Sequence, residues 1–249
     1  MFDIVCERLG KTFNQREQEK AHHTLTDLSA TFVAGKISAV VGESGCGKTT
    51  LLRILAGLTQ PDSGSVFYRS TNNAHKSRPK IATVFQEPRL FPWLTVEENV
   101  ALAVRNFPER QRQERTAQTL AVVGLADRSQ ALVHELSGGM AQRAGFARAL
   151  VCEPDILLLD EAFSALDALT RDRLRSEFVR IWQTRPMTVV LVTHDIWEAV
   201  LLSENIFKLS DGALTRISSI DTPYPRRMDD ERMAREASVL MQSFFGTKD

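Results

Sequence analysis

The sequence has too few cysteines for a disulfide scaffold and no apolar run long enough to cross a bilayer. Its three cysteines, Cys6, Cys46 and Cys152, are odd in number, far apart and outside any CxxC spacing, which argues against a zinc or redox site and fits a reducing compartment. No stretch approaches the roughly 20 apolar residues that a transmembrane helix needs, and the opening MFDIVCERLGKTF has no apolar core of a secretory signal. Any membrane role is therefore expected to run through a partner. Net charge is missing as well: 31 basic residues balance 31 acidic ones, so no overall field draws the chain to nucleic acid or to an anionic membrane. Internal repeats and low-complexity tracts are absent. What remains is 249 residues, 43% hydrophobic and 25% charged, enough for one substantial core or for two lobes of a single domain.

Periodicity outlines the elements. FDIVCERLGKTF and TLTDLSATFVAGKISAVVG alternate apolar and polar residues, as short antiparallel strands leading into a buried one would. Between them NQREQEKAHH is wholly polar and reads as a solvated hairpin loop, with His22 and His23 as surface residues. SVFYR and KIATVFQ read as strands, and Thr95 opens a helix with Glu98 at the capping-box position. The charged segment from Pro108 to Asp127 reads as helical. ILLLDE and TVVLVTHD are short apolar runs that end in acidic or histidine residues, the mark of buried parallel strands with chemistry at their C-terminal ends. NIFKLSDGALTRI reads as a closing strand, and 229–244 as an amphipathic helix that packs Met233, Ala237, Leu240, Met241 and Phe244 on the domain.

The strongest chemical signal is GESGCGKTT, Gly42 to Thr50, between the strand KISAVV and the leucine-patterned helix that follows. Its glycines let backbone N–H groups wrap a phosphate, Lys48 offers a mobile cation, Thr49 offers a hydroxyl to Mg²⁺, and the helix adds its positive end. Asp160 and Glu161 close ILLLDE. One such carboxylate suits a Mg²⁺ ion, and its neighbour suits an attacking water.

With ELSGGMAQR, ILLLDEAFSALD and TVVLVTH in this order, nearly the whole chain resembles the ATP-binding cassette ATPases. The resemblance implies an α/β fold of the P-loop NTPase type: a RecA-like core with a mainly parallel sheet, a small antiparallel β subdomain and an inserted helical subdomain carrying the signature. It divides the single domain into 1–85 with 150–220 as core, 86–149 as helical subdomain and 221–249 as tail. By position, Gly42, Glu43, Ser44, Gly45, Cys46, Gly47, Lys48, Thr49 and Thr50 resemble the ATP-binding Walker A loop. Asp160 with Thr49 and Gln86 looks like the Mg²⁺ set, and Glu161, His194 and Gln86 like the catalytic residues. Ser137, Gly138, Gly139 and Met140 resemble the signature that meets the ATP of an opposite subunit; glutamine is commoner than Met140 at its position. Asp167 is similar to the D-loop aspartate.

Phe13 stands where an aromatic stacks on adenine, with a core phenylalanine as the rival reading. Phe91, Pro92 and Trp93 form an apolar knuckle that either seats a permease or packs inside the helical subdomain. One cassette without membrane spans, together with FQEPRLFPW and LSGGM, is most similar to the ATPases of nitrate, sulfonate and taurine importers. The resemblance implies MgATP-driven dimerisation, with itself or a related cassette, beneath a permease on the cytoplasmic face of the inner membrane, served indirectly by a solute-binding protein. An export ATPase with separate membrane subunits and a soluble ATP-dependent switch remain the alternatives.

Overall fold

The computed structural model describes residues 1–14, 21–71, 78–164 and 166–245. They fall into two compact units. The first comprises residues 1–79 and 186–249, the second residues 80–185.

In the first unit, alternation builds an antiparallel sheet from β1 (Phe2–Asn14), β2 (Ala21–Phe32) and β4 (Ser63–Ser70), in the order β2-β1-β4. Phe2, Ile4, Cys6, Leu9, Leu25, Leu28 and Phe32 point inward and are buried. The β1–β2 pairing reaches Asn14↔Ala21. The strands thus take in Asn14 and Ala21–His23 from the segment expected as loop, whose remaining residues, 15–20, lie outside the described ones. The continuous apolar runs give a second layer. β3 (Ile37–Val41) is buried at every position and lies parallel to β7 (Thr188–Thr193) on one side and β8 (Asn205–Ser210) on the other. The expected single closing strand is instead a hairpin. β8 turns at Asp211-Gly212, both at positive φ, and returns as antiparallel β9 (Ala213–Ser219).

Helix α1 (Lys48–Leu55) packs on β7, and α6 (Ile196–Leu202) on β3 and β7. The closing helix α7 (Glu231–Phe245) lies on α6 and buries Met233, Ala237 and Leu240. Met241, expected in that contact, is 38% exposed, because it follows Leu240 directly and so turns about 100° away from the buried stripe.

In the second unit, β5 (Ile81–Val84) and β6 (Ile156–Asp160) pair in parallel, from Ile81↔Ile156 to Val84↔Leu159. Around them stand α2 (Val96–Ala101), α3 (Glu109–Val122), α4 (Gly138–Leu150) and α5 (Ala168–Thr184). The capping box forms as expected: Glu98 N–H donates to Thr95 Oγ1, and Thr95 N–H to the Glu98 carboxylate. Val96, Val100, Leu120, Val123, Leu125, Ala144, Ala147 and Val151 make an aliphatic core between α2, α3 and α4. A second core is the aromatic triangle of Phe146 on α4, Phe163 after β6 and Phe178 on α5, with centroids 5.2 to 6.3 Å apart.

Candidate active site

The loop from Gly42 to Gly47 leaves the buried strand β3 and turns straight into α1. Two of its glycines are obligatory. A Cβ on Gly42 would stand 2.5 Å from the Leu209 carbonyl oxygen, and Gly47 combines φ of 106° with only 2.8 Å to Thr24. No other residue type fits either place. The turn exposes Glu43, Ser44, Gly45 and Thr49 yet leaves Lys48 only 5% exposed. The ammonium donates to the Gly42 and Glu43 carbonyls, 2.8 Å each, closing the loop around a positive charge. Backbone N–H groups at the start of α1 add to the same positive potential. Burial raises the Cys46 thiol above its ordinary range, with Lys48 opposing the shift.

Register brings the histidine to the same edge. Thr193 pairs with Val41, so His194 leaves β7 where Gly42 leaves β3, and it is exposed there. Its neighbours hold it from both sides. Thr193 Oγ1 donates to the Glu198 carboxylate and accepts from Asp195 N–H at 3.0 Å, while Asp195 caps α6 through Trp197 N–H at 2.9 Å and Glu198 N–H at 3.3 Å. Beside the loop lies a cavity of about 470 Å³ with Glu43, Ser44, Cys46, Lys208, Asp211 and Phe244 in its walls. A cavity of about 540 Å³ in the second unit is lined by Val123, Arg143 and Thr170 among others and by none of the candidate site residues.

Within the second unit, Gln86 and Glu161 each stand two residues beyond the last paired rung, Val84↔Leu159. Asp160 ends β6 at 7% exposure. Glu161 is half-buried and adopts φ of 46°, and its carbonyl accepts from Ser164 Oγ at 2.8 Å and Ser164 N–H at 3.1 Å. Gln86 is exposed.

Ser137 caps α4 by accepting from Met140 N–H at 3.3 Å, which leaves its hydroxyl proton available to an anion. A Cβ on Gly138 would meet nothing within 4 Å. Met140 packs against the aliphatic core, so thioether burial replaces the polar side chain commoner at that position. Asp167 caps α5, and hydrogen bonds from the Thr170 hydroxyl and N–H hold its carboxyl below the usual range.

The aromatic knuckle points outward. Trp93 is 70% exposed and Phe91 43%, their centroids 5.4 Å apart, so interior packing is not what the structure holds. Phe13 is likewise exposed on β1 rather than in the core, with Lys11 Nζ 5.5 Å from its ring.

Sequence reasoning missed two residues here. Asn99 is fully buried and binds the knuckle backbone through both ends of its amide. Gln142, also buried, reaches the Phe85 and Ala162 carbonyls. Each is an amide at an inward position of a helix, a signal the sequence carries but does not explain.

The ABC transporter family model matches residues 25–164. The aliphatic sulfonates import ATP-binding protein SsuB of Granulibacter bethesdensis is 46% identical over 84% of this chain and 83% of its own. The nitrate import ATP-binding protein NrtC of Synechococcus elongatus is 43% identical over 82% of this chain, a match that covers 32% of that longer protein. Among solved structures, a dimeric ATP-binding cassette in a post-hydrolysis state with ADP and phosphate superposes with a TM-score of 0.77 at 29% identity, over 88% of this chain and all of that one. With the family model spanning more than half of the chain and a relative at 46% identity over 84% of it, the chain belongs to the ATP-binding cassette (ABC) transporter family.

Proposed function

We infer that the chain is the ATP-hydrolysing subunit of an importer for small sulfonates or oxyanions, working as a dimer beneath a separate permease on the cytoplasmic face of the membrane. A solute-binding protein would deliver the solute to that permease. The observation that carries the reading is the phosphate loop. Its rim of exposed residues surrounds a buried ammonium that already bridges two carbonyls, a cradle suited to an anion of high charge. The names of the sulfonate and nitrate relatives supply the solute class.

In the first unit, Lys48 and the loop N–H groups bind the phosphates, Phe13 offers an aromatic face to adenine, and His194 offers a hydrogen bond to the terminal phosphate. In the second, Glu161 accepts a proton from the attacking water and Gln86 orients that water. Ser137 and Gly138 meet the phosphate held by the other copy, so two nucleotides join two chains. The family resemblance carries the assignment of Thr49, Gln86 and Asp160 to Mg²⁺: Thr49 in the first unit offers a hydroxyl, and in the second Gln86 offers an amide oxygen and Asp160 a carboxylate, donor types that suit a hard cation. Mg²⁺ ordinarily takes most of its ligands from substrate phosphate and water, so few protein donors are needed. When bound, the ion neutralises charge developing on the phosphate oxygens. No helix of the described residues is long and apolar enough to cross a membrane. The exposed aromatic pair Phe91 and Trp93 is assigned to contact with the permease.

The test is Glu161→Gln. With ATP this variant should elute as a dimer and release no phosphate, whereas Lys48→Ala should fail to bind ATP and stay monomeric. Undiminished phosphate release by Glu161→Gln would remove the carboxylate from its role, and recovery of the tagged chain from cells without a multi-span permease would remove the importer reading.

A further inference from the structure

The ladder between β5 and β6 stops at Val84↔Leu159, and the two chains then run on to Gln86 and Glu161. Beyond the ladder their backbone carbonyls need new donors. One side chain supplies two of them. Gln142 Nε2 donates to the Phe85 carbonyl at 3.2 Å and to the Ala162 carbonyl at 2.8 Å. Phe85 immediately precedes Gln86 and Ala162 immediately follows Glu161, so both protons of one amide are spent on the flanks of the two residues assigned to the attacking water. At 1% exposure no water competes for them.

The same face of α4 continues the grip. Three residues on, a Cβ at Gly145 would come within 3.1 Å of Pro88. Arg148 donates to the Pro88 and Arg89 carbonyls at 2.6 and 2.8 Å. Between them Phe146 stacks 5.2 Å from Phe163, two residues beyond Glu161. At its N-terminus this helix is opened by Ser137. A rigid helix therefore carries Ser137 at its end and holds both strand exits along its side.

We propose that Gln142 is a positioning residue for ATP hydrolysis: its buried amide fixes the backbone before Gln86 and after Glu161 in one arrangement and fastens both to the signature helix. The inference rests on the roles proposed above for those two residues. A purely structural glutamine would serve stability and nothing else. A positioning one sets turnover while leaving nucleotide affinity alone, because the phosphate loop belongs to the other unit.

The experiment compares Gln142→Asn, Gln142→Leu and Gln142→Glu in the full chain, measuring ATP dissociation constant, kcat, KM and melting temperature. Asparagine keeps the amide on a shorter stem, leucine keeps the bulk without donors, and glutamate keeps the shape but sets carboxylate oxygens against two carbonyls. The expected order of kcat is wild type, then asparagine, then leucine, then glutamate. The leucine variant should fall at least tenfold, with ATP affinity and KM within twofold of wild type. Overturning results are a leucine variant within twofold in kcat, an order that follows side-chain volume with asparagine last, or loss of folding in all three. Glu161→Gln run alongside separates the two ideas. If it is inactive while Gln142→Leu turns over normally, only the positioning role fails; if it hydrolyses normally, the assignment of Glu161 fails first.

Discussion

Replacing Asn99 with alanine should destabilise the second unit by about 2–3 kcal/mol, chiefly through a single stranded N–H group. The amide of Asn99 accepts from Phe91 N–H at 2.7 Å and donates to the carbonyls of Phe91, Leu94 and Thr95 at 3.1, 3.3 and 2.9 Å. These four bonds are not equivalent. The Phe91 carbonyl keeps a second donor in Leu94 N–H at 3.1 Å, and the Thr95 carbonyl keeps the helical bond from Asn99 N–H at 3.0 Å. Leu94 is only half-buried, so water can reach its carbonyl. The Phe91 N–H loses its short bond at a part-buried place, and leaving such a donor unpaired costs about 1–3 kcal/mol, to which the cavity left by the fully buried Asn99 side chain adds. Urea unfolding of wild type, Asn99→Ala and Asn99→Leu measures this directly, since leucine fills the space and isolates the hydrogen-bond part. Leucine should lose nearly as much as alanine. A loss below about 0.5 kcal/mol for both would mean that Asn99 does not hold the knuckle.

Trp93→Ala should leave ATP affinity and the turnover of the isolated chain unchanged while abolishing copurification of the permease; retained copurification would take Trp93 out of that contact. Alkaline pH offers another check, because burial pushes the Cys6 thiol up to about 12. Between the ordinary thiol range near 9 and that value the unfolded chain loses a proton that the native chain keeps, so stability falls as pH rises, by up to about 1.4 kcal/mol per pH unit. Cys6→Ala should therefore show a shallower decline than wild type above about pH 9, with no difference in slope below. Parallel curves over the whole range would refute it.

Much of the site was legible because its signals are local. The glycine-rich turn before α1 and the apolar strand that closes at Asp160 each need only a few adjacent residues, and the physics of turns and buried strands reads them directly. The capping box of Thr95 and Glu98 was visible for the same reason. Other features depend on distant partners. Nothing in AQRAGFARAL says that Gln142 will meet Phe85 and Ala162, and nothing in VEENV tells buried Asn99 from its exposed neighbour Glu98. The closing hairpin was missed for a different cause. Asp211-Gly212 is a turn signal in its own right, but the apolar residues on either side made one long strand an equally good pattern. Met241 failed by one step of helical phase, the difference between the buried stripe and its rim.

The backbone of Glu161 lies in the left-handed region, at φ of 46°, a conformation that disfavours any side chain by about 1 kcal/mol or more and glycine hardly at all. Glycine at this position would relax the turn and, under the role proposed for the carboxylate, silence hydrolysis. A library of this chain screened for heat resistance alone should therefore drift toward Glu161→Gly, enriching proteins that still hold nucleotide and no longer consume it.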